Sequence, residues 1–158
     1  MRLSRLIETL NAQGRDDPQF FELLAGSFAR LLGRALTACD AAWLYHEAPF
    51  AVLAHNTDPD PRFTYANKAA QACFEYDWDE FVTLPSRLST EPAIQAKRLE
   101  VFERVERDGF VAGYSGIRIA RSGRRFRIEE AVIWRLVDDA GIHRGEAATF
   151  ASWSDVEG

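Results

Sequence analysis

The stretch Phe50–Phe74, FAVLAHNTDPDPRFTYANKAAQACF, decides the fold predicted for this chain. A mostly apolar run, Phe50–His55, leads into a polar segment with two prolines, and a second short run follows at Phe63–Ala66. Such segments form turns, because proline fixes φ and Asn or Asp side chains hydrogen-bond to nearby backbone. Asn67 then stands where a helix needs its N-cap, before a helix of mostly small residues predicted at Lys68–Phe74. The stretch therefore predicts a strand, a turn, a second strand and a capped helix.

Length and composition predict an ordinary globular domain. The chain has 158 residues, of which 47% are hydrophobic and 27% charged. A net charge of −5 disfavours a nucleic-acid partner, which usually requires a basic face. No apolar run approaches the roughly 20 residues that span a bilayer, and no secretory signal is recognisable. Cys39 and Cys73 lack metal-binding spacing and are interpreted as reduced thiols, so we expect a cytoplasmic protein without a membrane partner.

Residues 1–44 are predicted to form an N-terminal helical extension before a domain covering residues 45–158. Apolar spacing predicts a first helix around residues 3–10, a longer helix after the Asp17–Pro18 cap, and a short helix from Asp40 to His46. The apolar face of the longer helix must cover either the sheet of its own chain or a second copy. It is broad enough for both, so a homodimer through the N-terminal helices is predicted. Its members are Phe20, Leu24, Phe28, Leu31 and Leu32.

The remainder of the chain predicts further helices followed by strands. Asp77 with Glu80 forms a capping box for a short helix, and Ser89 or Thr90 caps a longer helix that ends before Gly109. Three strands follow, at residues 111–120, 125–136 and 142–153, the first two forming a hairpin. Because helices and strands do not alternate singly, the predicted class is α+β, with a five-stranded antiparallel sheet and helices on one face.

This order of elements resembles a PAS domain, in which two strands, several helices and three further strands follow one another. Asn67 matches the asparagine that opens the first helix of many PAS domains. A closer resemblance is to bacterial stand-alone MEKHLA-domain proteins, within the same superfamily. It rests on four segments and spans roughly residues 45–153. They are EAPFAVLAHNTDPDPRFTYANKAA, LPSRLSTEP, RDGFVAGYSGIRIARSGRRFRIEEAVIW and GEAATFASW. The resemblance implies a PAS-like fold with a sensory or small-molecule-binding role, and it names no ligand.

The sequence departs from two cofactor-binding types of PAS domain. A flavin-binding LOV domain requires a reactive cysteine in a motif whose counterpart here, LPSRLSTEP, contains none. A haem-binding PAS sensor usually requires a histidine on the long helix, and residues 94–108 contain none. The cofactor is therefore unknown, with flavin–cysteine chemistry and haem both disfavoured.

Glu130 is the most conspicuous polar residue of the predicted strand 125–136. Strict alternation would place it on an otherwise apolar face with Phe126, Ile128, Val132, Trp134 and Leu136. An acid on such a face must be paired, open to water or functional, because an unpaired buried charge is very costly. Arg118 on the neighbouring strand is a possible partner. A structural ion pair, a solvent-open edge and a ligand contact all remain open.

Other polar groups have structural interpretations beside functional ones. His55 either bonds the backbone of the following turn or makes a polar contact at the mouth of a pocket. Asp58 and Asp60 are interpreted as turn residues, because the oxygen spacing of a calcium loop is missing. No histidine spacing typical of a metal site occurs. An arginine cluster at the second hairpin is either a solvated, locally paired turn or an anion-binding patch: Arg118, Arg121, Arg124, Arg125 and Arg127.

Two classes of function follow. The first is a non-enzymatic, PAS-like sensory or interaction domain with a small cavity between the sheet and residues 67–108. Its predicted ligand-binding residues are His55, Tyr65, Asn67, Phe102, Arg118, Glu130 and Trp134. The second is a small enzyme in which His55 and Glu130 form an acid–base pair. No set of nucleophile, base and orienting group is visible, which favours the first class.

Overall fold

The structure is a computed structural model that describes residues 17–90 and 95–156, with side chains described except at 95–99. The helix predicted around residues 3–10 lies outside these residues. The first turn predicted for the helix that ends before Gly109, at residues 91–94, also lies outside them. Five α-helices are described: α1 (Pro18–Leu32), α2 (Ala41–His46), α3 (Lys68–Phe74), α4 (Trp78–Phe81) and α5 (Gln95–Asp108). The strands are β1 (Ala51–His55), β2 (Phe63–Ala66), β3 (Phe110–Ile119), β4 (Arg125–Val137), β5 (His143–Phe150) and β6 (Ser152–Asp155).

The strands form one antiparallel sheet in the order β2-β1-β5-β4-β3. This confirms the predicted α+β class and the strand–turn–strand–helix order of the opening stretch. The last predicted strand is divided, because β5 ends at Phe150 and β6 resumes at Ser152 to pair with the first half of β4. The sheet therefore has six strands, where the sequence predicts five.

The helix caps predicted at Asp17 and Asp77 form as side-chain hydrogen bonds to free backbone amides. The side chain of Asp17 accepts from the amide of Gln19, at the start of α1. Asp77 accepts from the amide of Glu80 at 2.9 Å, which is one half of the predicted capping box. At the other end of α1, Gly33 adopts the left-handed conformation that favours glycine, with φ of 71°.

Helix α1 covers the outer face of the sheet of its own chain. Phe28 is 1% exposed and meets the indole of Trp134 edge to face, with ring centroids 5.0 Å apart. The indole Nε1–H of Trp134 donates to the carbonyl oxygen of Leu24 at 3.1 Å. The hydroxyl of Ser27 accepts from the amide of Val137 and donates to its carbonyl oxygen. The predicted packing of this helix on its own sheet is therefore present, through apolar burial and hydrogen bonds.

Helices α3, α4 and α5 pack against the opposite, inner face of the sheet. A ring-rich cluster fills the space under α3 and α4; its largest members are Phe63, Phe74, Phe81, Phe126 and Phe150. A smaller cluster joins α5 to β3 and β4 through Val101, Val105, Val111 and Ile133. A cavity lies between these two clusters.

A β-bulge at Glu130 interrupts the alternation of β4. Between Tyr114 and Gly116 the register advances by two residues in β3, while β4 advances by three, from Ile128 to Ala131. Glu130 absorbs the extra residue with a φ of 52°, and its side chain is exposed. Because side chains alternate with a period of two, one inserted residue exchanges the two faces for the rest of the strand.

The prediction that Glu130 shares one apolar face with Phe126 and Trp134 is therefore wrong. Before the bulge, Phe126 belongs to the inner cluster. After it, Trp134 belongs to the outer cluster under α1, while Ile133 faces inward. Glu130 lies at the crossover and is exposed to water.

Candidate functional site

A cavity of about 60 Å³ lies on the inner face of the sheet, bounded by β1, β3, β4, β5 and the middle of α5. A water molecule needs roughly 10–15 Å³ of such space, so the cavity has room for a few waters or a small ligand. It is lined by Leu53, Ala54, His55, Phe63, Ser89, Val101, Phe102, Tyr114, Arg118, Ile133, Glu146, Ala147 and Ala148.

One polar part of the cavity is built around Glu146. Its Oε2 lies 3.7 Å from Nε2 of His55, and its Oε1 lies 3.1 Å from Nε2 of His143. Nδ1 of His55 lies 2.9 Å from the carbonyl oxygen of Asn56, so the imidazole also contacts the turn backbone. Phe102 meets the ring of His55 edge to face at 5.6 Å. His55 therefore contacts the turn backbone, as one interpretation of the sequence predicts, and it also lines the cavity.

Gly145 allows Glu146 to lie next to His55. Its φ is 145°, and a Cβ at this position would overlap the carbonyl oxygen of His55. The close approach of β5 to the end of β1 therefore requires a residue without a side chain. It brings Glu146 into register opposite His55.

The second polar part of the cavity is formed by Tyr114 and Arg118 on β3. The guanidinium of Arg118 lies over the ring of Tyr114, 5.5 Å from its centroid. Its Nη2 donates to the Tyr114 hydroxyl at 3.4 Å, and its Nη1 donates to the carbonyl oxygen of Ile117 at 3.0 Å. Between them, Gly116 leaves the space that the tyrosine ring fills, because a Cβ there would overlap the Tyr114 ring and hydroxyl.

The structure brings three of the seven predicted site residues to the cavity: His55, Phe102 and Arg118. Tyr65 instead packs on the outer face, with its ring stacked on Phe20 at 5.4 Å. Trp134 lies beneath α1, and Glu130 is exposed at its bulge. Glu130 does not line the cavity because the bulge exposes its side chain to water. Tyr65 and Trp134 do not line it because they pack against α1 on the outer face.

Asn67, the seventh predicted residue, is a buried structural centre. Its Oδ1 accepts from the amides of Ala70 and Val52, both at 3.0 Å. Its Nδ2 donates to the carbonyl oxygens of Leu44 at 3.0 Å and Phe50 at 2.9 Å. The residue caps α3 as predicted and also ties α2 to the start of β1, so its polar atoms face protein backbone rather than the cavity.

The acid–base pair of His55 with Glu130 does not form. Glu130 is exposed at the bulge and makes no hydrogen bond or ion pair with His55, whose carboxylate neighbour is Glu146. The two residues are thus in different surroundings, and an enzyme built on this pair is contradicted by the geometry.

Sequence reasoning missed Glu146 and Tyr114. The signal for Glu146 was present, because it alternates with Ala148 and Phe150 along β5 and so places one acid on an apolar face. The same argument was applied to Glu130, where a bulge invalidates it. Tyr114 gave no comparable signal, since its inward direction depends on the irregular register of β3.

Two of the five arginines in the cluster at the second hairpin, Arg121 and Arg124, are paired locally. Arg124 contacts the carboxylates of Glu75 and Asp155 and donates to the carbonyl oxygen of Cys73 at 2.6 Å. Hydrogen bonds from Ser122, together with Arg124, hold the pKa of Glu75 below its usual range. Arg121 pairs with Glu80. The locally paired turn therefore describes these residues better than an anion-binding patch.

The two cysteines have different environments. Cys39 is exposed, while Cys73 is buried in the inner cluster, where burial raises the pKa of its thiol to about 12. Among residues 17–90 and 95–156, no cluster of three or more His, Cys, Asp or Glu side chains is placed to hold a metal ion. Within the same ranges, no helix has the length and apolar character needed to cross a membrane.

Comparison with known proteins identifies one family to which this chain is similar over most of its length. The family model described as the MEKHLA domain matches residues 18–155. Comparison with curated proteins finds no significant match.

Several solved structures share the fold at low sequence identity. A PAS domain of a protein from Colwellia psychrerythraea is 15% identical, with a TM-score of 0.60, over 73% of this chain and 92% of that one. A PAS domain from a two-component sensor histidine kinase is 18% identical, with a TM-score of 0.55, over 72% and 91%. The light-state dimer of the fungal blue-light photoreceptor Vivid is 14% identical, with a TM-score of 0.54, over 94% and 93%.

The residues present do not fit flavin–cysteine chemistry of the LOV type. That chemistry requires a thiol beside the bound ring, and neither cysteine of the chain lines the cavity. Cys73 lies in the inner core, and its high pKa opposes formation of the nucleophilic thiolate.

Proposed function

We propose that this chain, which belongs to the MEKHLA domain family and has a PAS-like fold, is a non-enzymatic sensory domain that binds a small molecule. The observation that carries the proposal is the cavity between the sheet and α5, with an apolar middle and polar groups in two places. Ligand sites have this character, since apolar walls supply affinity and a few polar groups supply orientation.

The proposed ligand contacts are His55, Phe102 and Arg118 from the sequence prediction, joined by Tyr114 and Glu146. These side chains come from three strands and one helix. A bound molecule would therefore contact α5 and the sheet together. Such a contact offers a route by which occupancy changes the packing of the helix, because a ligand stabilises the arrangement it binds best.

Native mass spectrometry of freshly purified full-length protein tests the proposal. We expect a retained small molecule in the wild-type spectrum and its loss in Ala148→Leu, because the larger side chain occupies cavity space. Filling a cavity is commonly neutral or stabilising, so the variant is expected to keep the wild-type melting temperature.

Two control variants separate the cavity from general effects. Ala112→Leu makes the same change at an exposed position of β3, and Glu130→Gln changes the exposed bulge. Both should retain the molecule. The proposal would be contradicted by finding no retained molecule in the wild-type protein together with no melting response of that protein to any compound in a small-molecule panel.

We also propose that the chain forms a homodimer through its N-terminal helices. Support comes from partly buried apolar side chains of α1 that lie around its fully buried contacts with the sheet, among them Phe20, Phe21 and Leu23. The fungal photoreceptor with which this chain shares its fold was solved as a dimer. Light scattering on the full-length protein should give twice the chain mass. A monomeric full-length protein would contradict this.

A further inference from the structure

We propose that the cavity takes a small organic anion with an apolar body, held through its anionic group by Arg118. The inference rests on the proposed ligand-binding function and adds the chemical class of the ligand. It follows from how charge is distributed within the cavity.

Arg118 is a cavity cation without a carboxylate partner among the described residues. A guanidinium carries five N–H donors. The described residues accept two hydrogen bonds from it, through the carbonyl oxygen of Ile117 and the hydroxyl of Tyr114. Both acceptors are neutral, so the positive charge remains uncompensated on a side chain that is partly buried. Its neighbours in the hairpin differ, since Arg121 and Arg124 are both in ion pairs.

The acid in the same cavity is already engaged elsewhere. Both oxygens of Glu146 lie near imidazole nitrogens, of His55 and of His143, and the carboxylate forms no ion pair with Arg118. In this cavity, Glu146 therefore lies beside two imidazole groups that can donate hydrogen bonds to it. Arg118 contacts only neutral acceptors among the described residues. A ligand carboxylate would therefore bind at Arg118, since arginine binds carboxylates through paired, charge-assisted hydrogen bonds.

The guanidinium is held in place before any ligand arrives. Tyr114 lies beneath it, and Gly116 gives the tyrosine ring room to remain there. A side chain that is already ordered loses less conformational entropy on binding. The space between Arg118 and His55 is lined by apolar side chains, which suit a hydrocarbon or aromatic body: Leu53, Phe63, Val101, Phe102, Ile133 and Ala148.

The test measures binding of matched probes to the full chain by calorimetry and ligand-observed NMR. Benzoate and benzamide have nearly the same shape and differ in charge, while inorganic phosphate has charge without an apolar body. We expect benzoate to bind about tenfold or more tightly than benzamide, as a charge-assisted contact implies. Phosphate should bind weakly.

Two arginine variants locate the effect. Arg118→Gln should remove the preference of benzoate over benzamide and leave benzamide binding nearly unchanged. Arg127→Gln, an exposed position on the neighbouring strand, should keep the preference. Melting curves of both variants check folding, and the comparison of probes on the wild-type protein needs no variant.

Each result bears on a different statement. Equal binding of benzoate and benzamide to the wild-type protein overturns the anion inference and leaves the ligand-binding function standing. If phosphate binds as tightly as benzoate, the statement that the ligand needs an apolar body is overturned. A preference for benzoate that survives in Arg118→Gln overturns the role of Arg118. If no probe binds, no molecule is retained on purification and no compound of the small-molecule panel shifts the melting temperature, the inference and the proposed function fall together.

Discussion

Replacing Asn67 with alanine should destabilise the fold more than replacing any surface asparagine. The side chain is 0% exposed and makes four hydrogen bonds to backbone groups of α2, α3, β1 and Phe50, the residue before β1. Losing a helix N-cap costs about 1 kcal/mol. Each of the other three backbone groups left without its side-chain partner costs at least about 1 kcal/mol when it remains buried.

The expected loss is therefore about 4 kcal/mol in the free energy of unfolding, since neither water nor a neighbouring side chain replaces these contacts in the buried site. For a domain of this size, about 1 kcal/mol shifts the melting temperature by about 2–4 °C, so a fall of about 8–16 °C is expected. Urea unfolding followed by circular dichroism measures the free energy, and calorimetry measures the melting temperature. Asn56→Ala is the control, because that side chain bonds turn backbone at the surface, where water can substitute.

Asn67→Asp sharpens the test, because it keeps the shape and both acceptor positions but turns two donors into a carboxylate facing two carbonyl oxygens. Burial and these carbonyls should raise the pKa of the introduced carboxyl above its unfolded value of about 3.9. Stability should then be greatest below that value and fall as the pH rises through the folded-state pKa. A loss under about 1 kcal/mol for Asn67→Ala, or a pH-independent free energy for Asn67→Asp relative to wild type, would refute the reasoning.

Four further outcomes are expected. Phe28→Ala should lower the free energy of unfolding by about 3–5 kcal/mol, because a nearly fully buried ring is removed from between α1 and the sheet, while Leu88→Ala, at an exposed position, should change it by less than about 0.5 kcal/mol; urea titration compares them. Iodoacetamide at pH 8 should modify Cys39 alone in the native protein and Cys73 only after unfolding, as counted by mass spectrometry. Since the pKa of Cys73 is raised to about 12, its contribution to stability should decline as the pH rises from about 9 towards 12, and an unchanged stability difference from Cys73→Ala across that range would contradict this. Gly145→Ala should weaken the pairing of β5 with the end of β1 and lower the melting temperature, because its Cβ would overlap backbone of the neighbouring strand, whereas Gly141→Ala, in an open turn, tests the cost of a positive φ alone.

Local signals predicted individual elements well because their causes are local. Proline and Asx chemistry around the opening stretch, the cap at Asn67 and the glycine at the end of α1 depend on residues a few positions apart. The predicted bounds of α3 and β2 match the structure residue for residue. The division of the last strand had no such signal, because it depends on which partner each half finds in the sheet.

The candidate site was predicted only in part, because its membership depends on register between strands. Alternation assigned Glu130 to an apolar face, and one bulged residue reversed that assignment for Trp134 as well. The same principle applied to β5 would have identified Glu146, where the alternation is regular. A bulge is decided by pairing with another strand, and the sequence of one strand does not reveal it.

The sequence by itself determined the α+β class, the order of elements and the capped helix after the two short strands, because these follow from periodicity and local hydrogen bonding. It also carried the family resemblance. Only the tertiary structure decided which side chains share the cavity, that His55 meets Glu146, and that Arg118 lies over Tyr114 without an acidic partner among the described residues. Those facts depend on contacts between residues distant in the chain. The relative positions of these residues are set when the strands pair in register and helices cover the faces of the sheet.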